Sequence, residues 1–251
     1  MWNKPPVLNA IADLLFVAAA AALLAALAVW LVRMPSLPVR QVVFTEELRH
    51  VRRLEVEQVL PAALKGNFFS LNLEAVRGAL EKLPWVRRVD VRRVWPARLE
   101  VRVEEHVPVA RWEESTKGGR NELVNSHGEV FAALLPEKEG AGLPLLFGPA
   151  GTAPELLQRH GEWIAAFAPL GRRPVQVLLS PRLSWQLRLD DGLLVELGRE
   201  QPKSPVGVRL RRFLEVYPET VARRSPPPTV VDLRYPNGFA MRGAGSEGKG
   251  S

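Results

Sequence analysis

The hydrophobic positions of this chain follow three different patterns, and the first is an unbroken run. Residues Leu14–Val32 read LLFVAAAAALLAALAVWLV and contain no charged residue, proline or glycine. A helix of this length extends roughly 28 Å at about 1.5 Å per residue, which matches the hydrocarbon thickness of a bilayer. Because the apolar core of a signal peptide spans only about 7–15 residues, the run predicts an uncleaved transmembrane helix over 13–34. Residues 1–12 would precede it as a short tail.

The second pattern is an alternation of apolar and charged positions in two neighbouring segments, Val86–Val94 and Leu99–Val107. With Trp95–Arg98 between them, they predict an antiparallel hairpin with one buried face and one solvated face. A strand and two helices are predicted before it, at Val39–Phe44, Leu54–Leu64 and Asn72–Leu83, and Asn72 can cap the second helix. The order predicts a β-α-α-β-β domain over 37–107, whose helices cover the apolar face of a small sheet.

The third pattern, over 108–243, consists of short apolar runs separated by turn residues. Its clearest unit is SWQLRLDDGLLVELGRE, in which Asp191-Gly192 turns a predicted hairpin. Other strands and helices are predicted at Val109–Trp112, Glu122–Asn125, Glu129–Leu134, Pro154–Phe167, Val175–Ser180 and Gly207–Thr220. The last helix places apolar residues on one stripe and Arg209, Arg211 and Arg212 on its other side. The fold class is therefore α+β: one N-terminal transmembrane helix, a β-α-α-β-β domain, then a mixed β-rich domain with helices packed on its sheet.

The end of the chain holds one more apolar stretch, VVDLRYPNGFAMRG at Val230–Gly243. The segment reads as a strand that Pro236-Asn237-Gly238 either bends or folds into a hairpin; the bend is the favoured interpretation. A strand this late has an edge that another chain could pair with, and proteins normally suppress such edges. Residues 244–251 are rich in Gly and Ser, which predicts a flexible tail.

Composition narrows the function without identifying it. The 251 residues carry a net charge of +7, which fits nucleic acid, an anionic membrane surface, acidic partners or solubility alone. The pairs Arg87-Arg88 and Arg92-Arg93 lack interleaved aromatics and can face carboxylates on the partner strand, which favours a solvated sheet face over nucleic-acid binding. The chain has no cysteine, which excludes disulfides and thiolate metal sites.

Catalytic signals are missing from the sequence. None of the four histidines has a partner at metal-ligand spacing, and His127 lies in a predicted turn. Asp190-Asp191-Gly192 is explained by its hairpin turn, and G-x-S-x-G, P-loop and G-x-G-x-x-G motifs are all absent. The sequence predicts no catalytic residue, no metal and no cofactor, and leaves binding as the function.

Several segments, in order, carry a family resemblance: LPWVRRVDVRRVWPARLEVRVEEHVPVARW, LVNSHGEVF, LPLLFGPAG, SWQLRLDDGLLVELGRE, RLRRFLEVYP and VDLRYPNGFA. Together they resemble the FtsQ/DivIB family of bacterial cell-division proteins over nearly the whole chain. The resemblance implies that 37–107 is a POTRA domain and that 108–243 is the family's β domain. It also implies a non-enzymatic, essential scaffold that recruits FtsB and FtsL and links early and late division proteins.

Location and partners are likewise implications of this resemblance. Counting positive charges around the span would place the body in the cytoplasm, but long domains can translocate regardless of charge. The resemblance implies a single pass in the cell inner membrane, a cytoplasmic N-terminus, a periplasmic body and concentration at the division septum. FtsB and FtsL would bind directly, by strand addition near 230–242. FtsK and other divisome proteins would contact the POTRA domain, and no nucleic acid is expected.

The partner-binding residues implied by the family motif are Arg234, Tyr235, Asn237, Gly238 and Phe239. Arg182, before the SWQL strand, is an additional candidate. Arg234 offers a charged planar fork to a partner carboxylate, and Tyr235 is an amphipathic anchor of the kind that dominates interfaces. The alternative for Tyr235 is a core position in register with Val231 and Leu233. The alternative function is a POTRA-containing envelope assembly or secretion factor, and a membrane-anchored enzyme is a further one.

Overall fold

The computed structural model describes residues 5–33, 38–115, 121–235 and 238–243, and its first element is the long helix α1. This helix runs over Pro5–Arg33, so it begins within the segment expected to form the tail. Its stretch Asn9–Trp30 has a mean hydropathy of 2.4 and is not covered by other parts of the protein. An apolar helix with all its side chains exposed is unfavourable in water, whereas the hydrocarbon core of a bilayer surrounds such side chains with apolar lipid. The helix is therefore long and apolar enough to cross a membrane once.

A small two-layer unit follows α1 and has the predicted β-α-α-β-β order. Its elements are β1 (Gln41–Phe44), α2 (Arg53–Ala63), α3 (Leu73–Leu80), β2 (Val86–Val94) and β3 (Arg98–Glu105). The sheet order is β1-β3-β2, with β1 parallel to β3 and β2 antiparallel to it. The helices cover the apolar face of this sheet, as predicted. The completely buried residues at this contact are Val89, Leu99 and Val101 of the sheet and Val76 of α3.

The solvated face of this sheet carries the ion pairs that the sequence predicted. Arg87 contacts Glu104 and Arg92 contacts Glu100, each at 2.7 Å, across β2 and β3. The predicted cap of α3 is also present, because the Asn72 side chain accepts a hydrogen bond from the Ala75 amide. Because these arginines are paired with carboxylates, the face does not offer the continuous positive charge that binds a polyanion such as nucleic acid.

The second unit, from His106 onward, is built on one large sheet. Its strands are β4 (Pro108–Glu114), β5 (Glu122–Asn125), β6 (Val130–Ala132), β7 (Leu145–Gly148), β8 (Pro174–Leu179), β9 (Ser184–Leu189), β10 (Leu194–Arg199), β11 (Pro228–Asp232) and β12 (Ala240–Gly243). Its helices are α4 (Glu137–Gly140), α5 (Ala153–Phe167) and α6 (Val206–Thr220). Among the described residues, the strand order is β12-β11-β10-β9-β8-β7-β4-β5-β6.

Two crossovers determine where the core of the second unit lies. Helix α5 joins β7 to β8 and α6 joins β10 to β11, and both strand pairs are parallel. A parallel pair needs such a connection because a tight turn cannot reverse the chain direction twice. Both helices pack on the sheet, and Leu156, Phe167, Leu187, Val195 and Phe213 are almost completely buried between these layers. The predicted mixed, β-rich domain with helices on its sheet is confirmed.

The favoured interpretation of the last segment, a single bent strand, is wrong. The segment forms a hairpin in which Val231 faces Met241 and Asp232 faces Ala240 in antiparallel register. The four residues of β12 are too few to show a strand pattern in the sequence; pairing with β11 and packing of Met241 on the core define the strand. Pro236 and Asn237, on which the prediction of a bend rested, lie outside the described residues.

The sequence interpretation of Arg209 as a solvent-facing residue of α6 is also wrong. Arg209 is only 4% exposed, and its guanidinium donates hydrogen bonds to the carbonyl oxygens of Leu197, Arg199 and Ser204. Those carbonyls belong to the end of β10 and the turn before α6. A buried arginine in this position stabilises the fold because it donates charge-assisted hydrogen bonds to carbonyl oxygens that are shielded from water.

We predict that Arg209→Met destabilises the second unit by about 3 kcal/mol, because it leaves buried carbonyls without donors. Arg211→Met, an exposed neighbour on the same helix, should change the free energy of unfolding by less than about 0.5 kcal/mol. Urea unfolding of the two variants in detergent measures the difference. Equal effects of the two substitutions would contradict the structural role of Arg209.

A second prediction concerns pH and His160 of α5. Its ring is 7% exposed, its Nε2 donates to the Pro174 carbonyl at 3.0 Å, and burial lowers its pKa. The unfolded chain therefore takes up a proton more readily than the folded chain, and stability should fall as the pH drops below about 6.5. His160→Gln keeps a donor but does not titrate. Urea midpoints at pH 7.5 and 5.5 should differ less for this variant than for the parent protein.

Candidate partner-binding edge

The terminal hairpin places an uncovered strand edge at one end of the large sheet. Within the described residues, the outer side of β12 has no neighbouring strand, and β6 at the opposite end contains three residues. The unpaired N–H and C=O groups of an edge strand are a template for another chain. The two faces of the hairpin beside this edge differ in chemistry, and each is built by a different set of side chains.

The face directed away from the helices carries a charge cluster that crosses three strands. Arg234 donates to Asp232 from Nε at 2.8 Å and from Nη2 at 2.5 Å, and the same Nη2 lies 2.9 Å from a Glu196 oxygen. Arg242 of β12 approaches the other Glu196 oxygen at 3.8 Å. Two carboxylates and two guanidinium groups thus join β10, β11 and β12 on one face.

The charge state of this cluster is fixed by its own geometry. Asp232 is 6% exposed, yet hydrogen bonds from Arg234 hold the pKa of its carboxyl below the usual range. The same contacts raise the pKa of Arg234, so both groups remain ionised at neutral pH. The Arg234 side chain is still 55% exposed, and Nη1 donates to no acceptor among the described residues. The Nη1 group of the guanidinium therefore remains available to a partner, while Nε and Nη2 are used within the chain.

A glycine makes room for the arginine, and sequence reasoning missed it. Gly198 sits at a bulge in β10 with a φ of +74°, and a Cβ there would lie 2.8 Å from Cγ of Arg234. The aliphatic part of the Arg234 side chain therefore lies directly against the β10 backbone. A glycine inside an apolar strand pattern was the available signal, because it often marks a bulge or a close approach.

The face directed toward the helices presents an apolar groove between α6 and the hairpin. Phe239 packs edge-on against Phe213, with ring centroids 5.5 Å apart, and this contact holds the hairpin on α6. Tyr235 is 56% exposed beside them, so it does not occupy the core with Val231 and Leu233. The groove has a volume of about 430 Å³ and is lined by Arg209, Arg212, Phe213, Val216, Leu233, Tyr235, Gly238 and Phe239.

The structure brings four of the six sequence-predicted residues together. Arg234 and Tyr235 follow the end of β11, and Gly238 and Phe239 precede the start of β12. Asn237 lies outside the described residues. Arg182 is exposed in the turn between β8 and β9, at the same end of the sheet, but β10 lies between β9 and β11, so Arg182 is not part of the hairpin.

The charged and apolar neighbours of these residues were not predicted as site residues. They are Glu196, Asp232, Phe213, Val216 and Arg242, and only the sheet pairing and the position of α6 bring them to the hairpin. Among the described residues, no group of three or more histidine or acidic side chains is placed to hold a metal ion. What the arrangement can do is bind an extended peptide: backbone groups form the ladder while the two faces select its side chains.

Comparison with known proteins assigns both units to one family. The model described as "POTRA domain, FtsQ-type" matches residues 37–106, and the one described as "Cell division protein FtsQ/DivIB, C-terminal" matches residues 110–234. The chain is 39% identical to "Cell division protein FtsQ" of Nitrosospira multiformis, covering 97% of this chain and 99% of that protein. For the Burkholderia pseudomallei protein of the same name, the identity is 38%, covering 98% and 95%.

A more distant relative agrees over the same length. The "Cell division protein FtsQ" of Neisseria gonorrhoeae is 31% identical, covering 97% of this chain and 96% of that protein. The similarity includes the N-terminal apolar helix, which fits a single-pass membrane protein. Both family models and full-length relatives thus agree, and the chain belongs to the FtsQ family of bacterial cell-division proteins.

Proposed function

We propose that this protein is a non-enzymatic scaffold of cell division that binds FtsB, and through it the FtsB–FtsL pair, by strand addition to β12. The observation that carries the proposal is the uncovered edge of β12, flanked by a charged face and an apolar groove. Strand addition supplies affinity through main-chain hydrogen bonds, whose geometry is independent of sequence. Selection of the partner then rests on the side chains beside the edge.

The two faces define what the added strand should look like. Successive residues of a strand point to opposite faces, so every second side chain would meet the same face of the hairpin. On one face, Arg242 and the available Nη1 group of Arg234 favour carboxylates. On the other face, Tyr235 and Val216 favour apolar side chains in the groove. The matching partner segment alternates acidic and apolar residues.

Tyr235 and Arg242 are the sharpest probes of this edge. Both are largely exposed, so replacing them leaves no cavity in the core, and the contact within the chain that is lost with Arg242 is a long one, 3.8 Å to Glu196. Arg234 is a poorer probe because its replacement leaves the buried carboxylate of Asp232 without the guanidinium that donates hydrogen bonds to it. A loss of binding after substitution of Arg234 would mix recognition with stability.

The membrane topology belongs to the same proposal. We place the N-terminus in the cytoplasm, the two folded units in the periplasm and the protein at the division septum, where upstream proteins such as FtsK would contact the POTRA unit. The support is the apolar helix α1, which precedes both units, together with the family assignment. A long folded domain can be translocated even when positive charges follow the span.

We predict that Tyr235→Ala and Arg242→Glu each weaken binding of the FtsB–FtsL pair at least about tenfold, as expected for interface hot spots. The measurement is titration of full-length protein in nanodiscs, with the urea midpoint of each variant as the test of folding. Raising the salt concentration should weaken the parent complex more than the Arg242→Glu complex, because salt screens charge pairs.

Arg211→Glu on α6 and Val130→Glu on β6 are the matched controls. The first changes charge by the same amount outside the groove, and the second alters an exposed residue at the opposite edge of the sheet. Both should bind as the parent does. Parent-like binding by folded Tyr235→Ala and Arg242→Glu proteins would reject β12 as the docking edge.

The topology makes a separate prediction, and the absence of native cysteine makes it simple to test. A cysteine introduced at exposed Glu215 of α6 should react with a membrane-impermeant maleimide in intact spheroplasts. A cysteine at Lys4 should react only after the membrane is permeabilised. The reverse labelling pattern would place the body in the cytoplasm and refute the proposed orientation.

A further inference from the structure

The first folded unit exposes two large aromatic side chains at one end, although the ring of one of them, Phe69, also packs edge-on against the buried Phe68 at 5.3 Å. Trp95, in the turn between β2 and β3, is 79% exposed, and Phe69, in the loop between α2 and α3, is 46% exposed. Arg93 holds the loop beside this strand end, donating to the Phe68 carbonyl at 2.8 Å and to the Phe69 carbonyl at 3.3 Å. We call these two exposed side chains, Trp95 and Phe69, the aromatic tip.

The aromatic tip is surrounded by positive charge. Arg40 before β1, Lys65 in the α2–α3 loop and Arg98 at the start of β3 are all exposed. In the parts of the chain that the structure describes, none of these three forms an ion pair with a carboxylate. Glu100, on the same strand as Arg98, is held by Arg92 at 2.7 Å. Exposed tryptophan among unpaired cations is the composition of surfaces that lie in a membrane interface.

The connection to α1 keeps this end of the unit close to the bilayer. The Arg40 amide donates to the Ala97 carbonyl at 2.8 Å, so the chain enters the unit beside the turn that carries Trp95. Arg40 follows Arg33, the last residue of α1, by seven positions, which limits their separation to about 25 Å. The opposite end of β2 is a further distance of roughly 30 Å along a nine-residue strand.

We propose that the aromatic tip docks on the bilayer that α1 crosses, in the leaflet facing the folded units, and recognises anionic phospholipid. Trp95 and Phe69 enter the boundary between headgroups and acyl chains, while Arg40, Lys65 and Arg98 contact lipid phosphates. The bilayer is the occupant because the tether confines the aromatic tip near it at all times, which gives a high effective concentration without strong intrinsic affinity. Docking would fix the orientation of the first unit above the membrane.

The experiment uses the full chain reconstituted in vesicles, again exploiting its lack of native cysteine. A cysteine at Phe69 carries a nitrobenzoxadiazole label, whose emission shifts to the blue on leaving water; the same label at exposed Glu47, in the loop after β1 at the opposite end, is the reference. In vesicles with 30% phosphatidylglycerol, we expect a blue shift and quenching by headgroup-proximal doxyl lipids at position 69 only. Pure phosphatidylcholine should reduce both signals.

Two variants in the Phe69-label background separate docking from folding. Trp95→Ser with Arg98→Glu should abolish the blue shift, because it removes the main apolar anchor and reverses one charge. Leu54→Ser, which removes another exposed apolar residue of the same unit, should leave the shift unchanged.

Equal emission from labels at 69 and 47 in anionic vesicles would overturn the proposal. A shift at position 69 that appears only after another division protein is added would do the same, since it would identify the aromatic tip as a protein-docking surface.

Discussion

A cluster of two carboxylates and two guanidinium groups joins the three strands on which the proposed docking edge depends, and its most buried member is Asp232 at the end of β11. Asp232 accepts hydrogen bonds from the Arg234 amide and guanidinium, and that guanidinium also reaches Glu196 in β10. A buried, uncompensated carboxylate would be costly, so the cluster is stable only when the end of β11 has this conformation. The constraint fixes where β11 stops, and therefore where β12 begins its return along the sheet.

The opposite face of the hairpin is held by a different force. Phe239 packs against Phe213 and Met241 packs against the core, so apolar burial keeps β12 in place although the strand has only four residues. Charge lies on one face and aromatic packing on the other, and among the described residues no strand pairs with the outer edge of β12. A short strand that is anchored from both faces can stay ordered with an open edge, whereas natural proteins usually shorten, charge or cover such edges.

The two units differ in how much of their structure could be predicted from local sequence. In the first unit, β2 and β3 form a hairpin whose alternation is visible residue by residue, and the prediction was confirmed with its ion pairs. In the second unit, β11 pairs in parallel with β10 across α6, a partner more than thirty positions away in sequence. Burial of Arg209 shows the same limit, because its acceptors lie on the strand and turn before its own helix.

Local sequence patterns were enough to predict the apolar membrane-spanning helix, the β-α-α-β-β order and the solvated arginine face. The sequence motifs also indicated the family and four of the residues that lie around β11 and β12. These features depend on periodicity, composition or short contiguous motifs, which are local properties of the chain. Three features could be seen only in the folded protein: the last segment forms a hairpin, β12 rather than β11 is the edge strand of the described sheet, and Arg234 is already paired with Asp232 and Glu196. The reason is physical: strand pairing and charge clusters are contacts between distant parts of the chain, and no local pattern specifies which distant partner a strand or a guanidinium will meet.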